Sequence, residues 1–310
     1  MAEKRRKEVV EEVERILKVV PPAQYDSPNL EDLFTLLDLA SLGTAPLALS
    51  DLDWPRLRHN VMGMIAEAFQ WHEYRLQREV VHQEHAFGLG LNREMFLAVL
   101  DAWTSYLRAG DTIISFNWDI FHEAALWRAG KWHYADGYGF SPPDGVSPRS
   151  SDVRLLKIHG SVNWAQRDEK DATPAIEHKM DFFRGAFDAP GTYQHARGQW
   201  NEGRYLIIPS YLKDLSSNKL LLDIWNQASG AVSLADEVVV IGLQLHPADG
   251  PARQLIASAL LRNKRVSCIT IVSPDGGGVH WDDFCLRIGV SRRPVFAKFE
   301  DWVLGRIALP

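Results

Sequence analysis

From residue 111 onward the chain alternates short aliphatic runs with helical patterns, and few architectures accept that alternation. Thr112–Phe116, Leu155–Ile158, Tyr205–Ile208, Val238–Ile241 and Ser267–Val272 read as strands. Phe121–Ala129, Leu220–Leu234 and Ala252–Arg262, lying between them, repeat apolar residues at helical spacing. A strand that is apolar on both sides must be covered on both faces, and a parallel neighbour is reached only through a long crossover. The expectation is therefore an α/β fold with a Rossmann-like parallel sheet and helices on both faces, occupying 111–310. The polar, Gly- and Pro-containing stretch at about 166–203 reads as a loop or lid over that sheet.

Upstream the texture is different. Residues 3–20 place Val9, Val13, Ile16, Leu17 and Val20 on one helical stripe, and Pro21-Pro22 ends it. Ser27-Pro28 then gives a capping residue followed by proline at a helix start, with Leu30, Leu33, Phe34 and Leu37 as the buried stripe. Helical patterns continue at about 54–85 and 92–109, so 1–110 reads as a helical N-terminal region, an insert of the fold.

Several function classes are disfavoured by composition. The formal charge is −6, which argues against broad electrostatic binding of nucleic acid or of an anionic membrane. No apolar run approaches the roughly 18 residues that span a bilayer. Cys268 and Cys285 are the two cysteines of the chain, too few for a four-thiolate zinc site. A reduced, cytoplasmic protein is the simplest reading.

Open α/β sheets bind ligands beyond the carboxyl ends of their strands, and polar groups gather there in this sequence. Asn117 and Asp119 follow the first strand, His159-Gly160-Ser161 the second, Gly242, Gln244 and Asp249 the fourth, and Ser273 and Asp275 the fifth. Each has a bland alternative. Asn117 and Asp119 can simply cap the next helix, His159 can satisfy a backbone carbonyl at a strand end, Gly242 can allow a tight turn, and Asp275-Gly276 is an ordinary turn pair.

Taken together and in order, these segments resemble the sirtuin-like NAD-hydrolysing domains of bacterial anti-phage defence. Ile113-Ile114-Ser115-Phe116-Asn117-Trp118-Asp119 looks like the family's strand ending in Asn-x-Asp. Leu156-Lys157-Ile158-His159-Gly160-Ser161-Val162-Asn163-Trp164 looks like its Lys-Leu-His-Gly-Ser-x-Asn-Trp signature. Val238–Gly242 with Leu245 and Asp249 is similar to its Gly-x-x-Leu strand and Asp-containing turn, and Asn29-Leu30-Glu31-Asp32 to an earlier helix start.

The resemblance implies cleavage of the nicotinamide–ribose bond of NAD as an abortive-infection effector. It makes His159 the base, Asn117 the group orienting water or a ribose hydroxyl, and Asp119 a nicotinamide or loop-holding residue. Gly242, Gln244, Ser273 and Asp275 would serve the adenosine half. NAD is then the substrate, and with two cysteines no zinc module and no protein deacylation are expected. Family relatives work in assemblies, so a homo-oligomer is expected, with a HerA-type ATPase or a short Argonaute as candidate partner.

Two departures keep a non-catalytic alternative open, that of an inactive nucleotide-binding or scaffold subunit. The family opens on a strand and a Gly-rich loop whose amides cradle the pyrophosphate, and here no Gly-x-Gly follows an early strand. Gly88-Leu89-Gly90 lies between helical patterns, and Gly276-Gly277-Gly278 follows the last strand. Either the chain starts downstream of a natural start, another subunit completes the site, or NAD is not turned over. Gln244 also stands where the family often carries serine. A nuclease reading from Asp168, Glu177 and Lys179 is weaker because nothing places Asp168 on a strand beside the other two, and a metal reading from His82 and His85, at i,i+3 on a helix, is weaker than a solvated helical face.

Overall fold

A computed structural model describes residues 3–19, 30–44, 49–65, 93–140, 150–165, 175–176, 204–206, 219–245 and 249–305. Pro21-Pro22, Ser27-Pro28, Asn29, His82, His85, Gly88–Gly90, Asp168, Glu177, Lys179 and nearly all of the 166–203 stretch lie outside them.

The N-terminal helices are α1 (Glu3–Val19), α2 (Leu30–Leu39), which widens into a π-turn over Ala40–Thr44, and α3 over 54–65. Val9, Ile16, Leu33, Phe34, Leu37, Trp54 and Leu57 share one apolar cluster. These are the positions that the helical spacing puts on a common stripe. A second, larger cluster begins with α4 (Arg93–Tyr106) and runs to the C-terminal segment, so α4 packs with the strands and not with α1–α3.

The second cluster is a mixed α/β body. In chain order come β1 (Thr112–Ser115), α5 (Phe121–Arg128), β2 (Arg154–Lys157), β3 (Gly160–Ala165), β4 (Ala175–Ile176) and β5 (Arg204–Leu206). There follow α6 (Lys219–Leu234), β6 (Val239–Ile241), α7 (Gly250–Arg262), β7 (Cys268–Ser273), α8 (Gly278–Ile288), β8 (Ser291–Phe296) and α9 (Phe299–Val303). The described strands form three ladders: β1 with β2, β4-β3-β5, and β6-β7-β8. The first and third are parallel, as expected for strands separated by helices. In the third, β7 is central and buried from Ile269 through Ser273, with Ile269, Ile271 and Val272 supplying its aliphatic residues.

The strand anticipated at Tyr205–Ile208 needs correction. Arg204–Leu206 pairs antiparallel with Gly160–Ala165 and does not join a parallel ladder. The reason lies in β3. After His159 the chain turns at Gly160, whose φ of 78° favours glycine, and runs straight back out as a strand. β3 therefore takes β5 and β4 as neighbours and forms a ladder of its own. Among the described residues no helix is long and apolar enough to cross a membrane.

Candidate functional site

β1 and β2 run side by side with Ser115 opposite Lys157, so two residues further on Asn117 and His159 emerge at the same edge. The register continues past the strands, the Ile158 amide donating to the Ser115 carbonyl at 3.2 Å. The His159 ring is then fixed from two sides. Its Nδ1 lies 3.2 Å from the Phe116 carbonyl, an acceptor, so Nδ1 carries the proton and Nε2 is the atom turned away from the strand. The Phe116 ring stands edge-on to the imidazole at 5.5 Å and the Trp225 ring, from α6, lies 6.3 Å away. Two indoles clamp the backbone beneath: Trp118 Nε1 donates to the His159 carbonyl at 3.1 Å and Trp225 Nε1 to the Ile158 carbonyl at 2.7 Å.

Asn117 is exposed at the same strand-end edge, its backbone N–H donating to Ser115 Oγ at 3.2 Å. Asp119 is occupied locally: Oδ1 accepts the Phe121 amide at 3.0 Å and leads the chain into α5. It thus closes an Asx turn just ahead of α5, whose N-cap position is Ile120.

Behind the loop lies a buried polar network built from the residues of the His-Gly-Ser-x-Asn-Trp segment. Lys157 and Glu123 are both fully buried, with Nζ 3.1 Å from Oε1. Lys157 also donates to the Asp119 carbonyl. Tyr138 donates to Glu123 Oε1 at 3.1 Å, and Asn163 Nδ2 donates to the Tyr138 oxygen at 2.9 Å. Ser161 Oγ lies 3.4 Å from the Trp118 carbonyl. Burial pushes the Glu123 carboxyl above the usual carboxylate range while the Lys157 ammonium pulls it back. Burial, reinforced by Glu123, raises the Tyr138 phenol well above its ordinary value. Next door, His122 is driven down to about 4 by burial. In this part of the motif Lys157 and Ser161 hold the 116–120 loop from within and Asn163 holds Tyr138, while His159, itself buried, lies just beyond the end of β2.

The third wall comes from the β6–α7 connection. Gly242, at φ 66°, ends β6 and donates to Val272 at 3.0 Å. Trp281 Nε1 donates to the Leu243 carbonyl at 2.6 Å, and Gln244 is exposed. Leu245 is held at φ 47° although its side chain is buried. Its carbonyl accepts Arg253 Nη1 at 3.1 Å. Asp249, heading α7, brings Oδ1 to 3.7 Å from His159 Nε2. This carboxylate joins the site; the sequence placed Asp249 among the polar residues at the strand ends and gave it no role. Its signal was position, between a strand-ending glycine and a helix opened by Pro251.

Ser273 and Asp275, at the end of β7, are turned on each other. Ser273 Oγ donates to Asp275 Oδ1 at 2.6 Å, and the same oxygen accepts the Gly277 amide at 3.0 Å. The Ser273 hydroxyl holds the Asp275 carboxyl below its ordinary range. The structure thus joins Asn117, His159 and Asp249 at one edge, with Asp119 bracing the loop, and closes Ser273 and Asp275 into a separate turn. Neither protein-family models nor curated proteins show a match to the chain.

Proposed function

We propose that the chain is a sirtuin-like NAD glycohydrolase on a Rossmann-like scaffold, releasing nicotinamide as an abortive-infection effector in anti-phage defence. The observation that carries this reading is the direction of His159. With Nδ1–H spent on the Phe116 carbonyl, Nε2 is the basic atom, and it opens toward Asn117's edge and Asp249. In the reaction the C–N bond breaks with its electron pair passing to the pyridinium nitrogen, so neutral nicotinamide leaves. Water adds to the anomeric carbon and its proton passes to Nε2 of His159. The Asn117 amide, able to donate and accept at once, orients that water or a ribose hydroxyl. Asp119 acts through the loop that it caps. Gly242 and Gln244 border the same edge and stand for the adenosine half.

Nicotinamide release followed by chromatography tests the reading. His159→Ala and Asn117→Ala should each reduce it by about a hundredfold or more, and rates like those of the unchanged protein in both variants would overturn it. Two observations favour the inactive nucleotide-binding or scaffold alternative. Ser273 and Asp275 spend their polar atoms on their own turn, and among the described residues no strand with a glycine-rich turn precedes β1. Saturable NAD binding without nicotinamide release would select that alternative. Assembly into a homo-oligomer, or with a HerA-type ATPase or short Argonaute, belongs to the same proposal. Light scattering of the chain alone and mixed with each partner checks it, a persistent monomer peak counting against it.

A further inference from the structure

We infer that Lys157 is a positioning residue: together with Ser161 it shapes the 116–120 loop that presents Asn117, and its pairing with Glu123 serves that task more than it serves stability. The inference rests on the NAD reading for what Asn117 does and on the geometry for how the loop is held. Lys157 ends β2 and Ser161 lies at the start of β3, with His159 between them. Each of the three meets a different carbonyl of the loop. Nδ1 of His159 lies 3.2 Å from the Phe116 carbonyl, Ser161 Oγ lies 3.4 Å from that of Trp118, and Lys157 Nζ donates to that of Asp119. Ser115 Oγ accepts the Asn117 N–H at 3.2 Å and lies 3.5 Å from the Asn117 carbonyl. Every peptide plane from Phe116–Asn117 through Asp119–Ile120 thus has at least one group fixed, and the backbone of Asn117 is set from both sides.

The ion pair beneath the loop calls for a reason. Lys157 and Glu123 are both fully buried. Two charges withdrawn from water gain little over an apolar pair of similar volume, because desolvation offsets most of their attraction. An ammonium nevertheless supplies what no apolar group can, a strong donor for a carbonyl out of reach of solvent. Glu123 neutralises that ammonium, and Tyr138, donating to Glu123 Oε1 at 3.1 Å with Asn163 behind it, keeps the carboxylate in place. The chain of dependence runs from Asn163 through Tyr138, Glu123 and Lys157 to the Asp119 carbonyl, two residues from Asn117. A displacement of about 1 Å at a group that orients an attacking water costs on the order of a hundredfold in rate. When the affected interaction is made only in the transition state, the loss falls on kcat and not on KM.

The double variant Lys157→Met/Glu123→Gln separates positioning from stability, because it removes both charges together and still leaves the Asp119 carbonyl without its donor. Its melting temperature should recover much of what Lys157→Met alone loses. Its kcat for nicotinamide release should stay at least about tenfold down, with KM within about threefold of the unchanged protein. Amide exchange followed by NMR should be at least about tenfold faster at Asn117 and at Phe121, whose N–H donates to Asp119 Oδ1, with β7 unaffected. Ser161→Ala keeps both charges and frees only the Trp118 carbonyl. It should lower kcat by about threefold or more at unchanged KM, and it carries the test if the double variant fails to fold by circular dichroism. Recovery of kcat along with stability makes the pair structural only and overturns the inference. Unchanged exchange at Asn117 and Phe121, or a loss confined to KM, overturns it too. If the unchanged protein releases no nicotinamide, the hydrolase reading falls alone: faster loop exchange in the double variant then upholds Lys157 as the group that sets the loop, and unchanged exchange removes it.

Discussion

Lys157→Met removes the cation from an ion pair whose side chains are both fully buried. Methionine roughly replaces the lysine stem, so the effect is electrostatic more than steric. Glu123 keeps the Tyr138 hydroxyl on Oε1, but Oε2 has no partner among the described residues. The Asp119 carbonyl loses its donor as well. Breaking one side of a buried pair destabilises by about 3–5 kcal/mol at neutral pH. The penalty must also depend on pH. Glu123 already sits above the ordinary carboxylate range through burial, with Lys157 opposing. Without the ammonium it rises further. A carboxyl whose folded value exceeds its unfolded value contributes stability in full below about 4.3 and loses it as pH rises through the folded value, at about 1.4 kcal/mol per unit. Urea unfolding followed by tryptophan fluorescence should show a larger penalty at about pH 8 than at about pH 5. Adding Glu123→Gln to the variant should recover much of the loss. A penalty below about 1 kcal/mol at the higher pH, equal penalties at both, or no recovery in the double variant would refute the reasoning.

Other positions give independent checks. His122, held near 4 by burial, has a depressed value, so its contribution is present above about 6.5 and is lost as pH falls toward 4. His122→Leu should remove roughly 3 kcal/mol of acid sensitivity in that window, visible as a flatter melting-temperature profile. Gly277 has φ 92° and an added Cβ would lie 2.8 Å from Ile271 Cγ2, so Gly277→Ala should lower the denaturation midpoint by the equivalent of more than about 1 kcal/mol. Trp225→Phe leaves the Ile158 carbonyl without its indole donor and should destabilise by about 1–3 kcal/mol while loosening His159, measurable as slower nicotinamide release. Asp236→Asn breaks an ion pair with Arg265 in which both side chains are well exposed, and should shift stability by less than about 0.5 kcal/mol.

Periodicity located the elements whose burial is one-sided or complete. Phe121–Arg128, Lys219–Leu234, β1, β2, β6 and β7 fall within a residue or two of where their apolar patterns put them. The elements it passed over are those whose pattern is set by neighbours. β8 reads Ser-Arg-Arg-Pro-Val-Phe, and its pairing with β7 is recognisable only once β7 is known to be the centre of a ladder. β3 hid because its residues serve a polar network, with Ser161 and Asn163 turned to Trp118 and Tyr138 where aliphatic side chains would have announced a strand. The site was legible as a list of strand ends, and Asn117 and His159 do share an edge. That Asp119 closes an Asx turn, that Ser273 and Asp275 bond each other, and that Asp249 reaches His159 across two ladders are long-range or rotameric facts with no periodic signature.

The buried polar quartet has a consequence for inheritance. Lys157, Glu123, Tyr138 and Asn163 sit on β2, α5, an intervening turn and β3, and each satisfies the next. A lineage cannot replace one of them by drift without stranding its neighbour, so relatives should carry either the whole set or a concerted exchange, an apolar group at 157 arriving together with a neutral one at 123. Covariation between those columns, and not conservation of any single column, is the trace this arrangement leaves in descent.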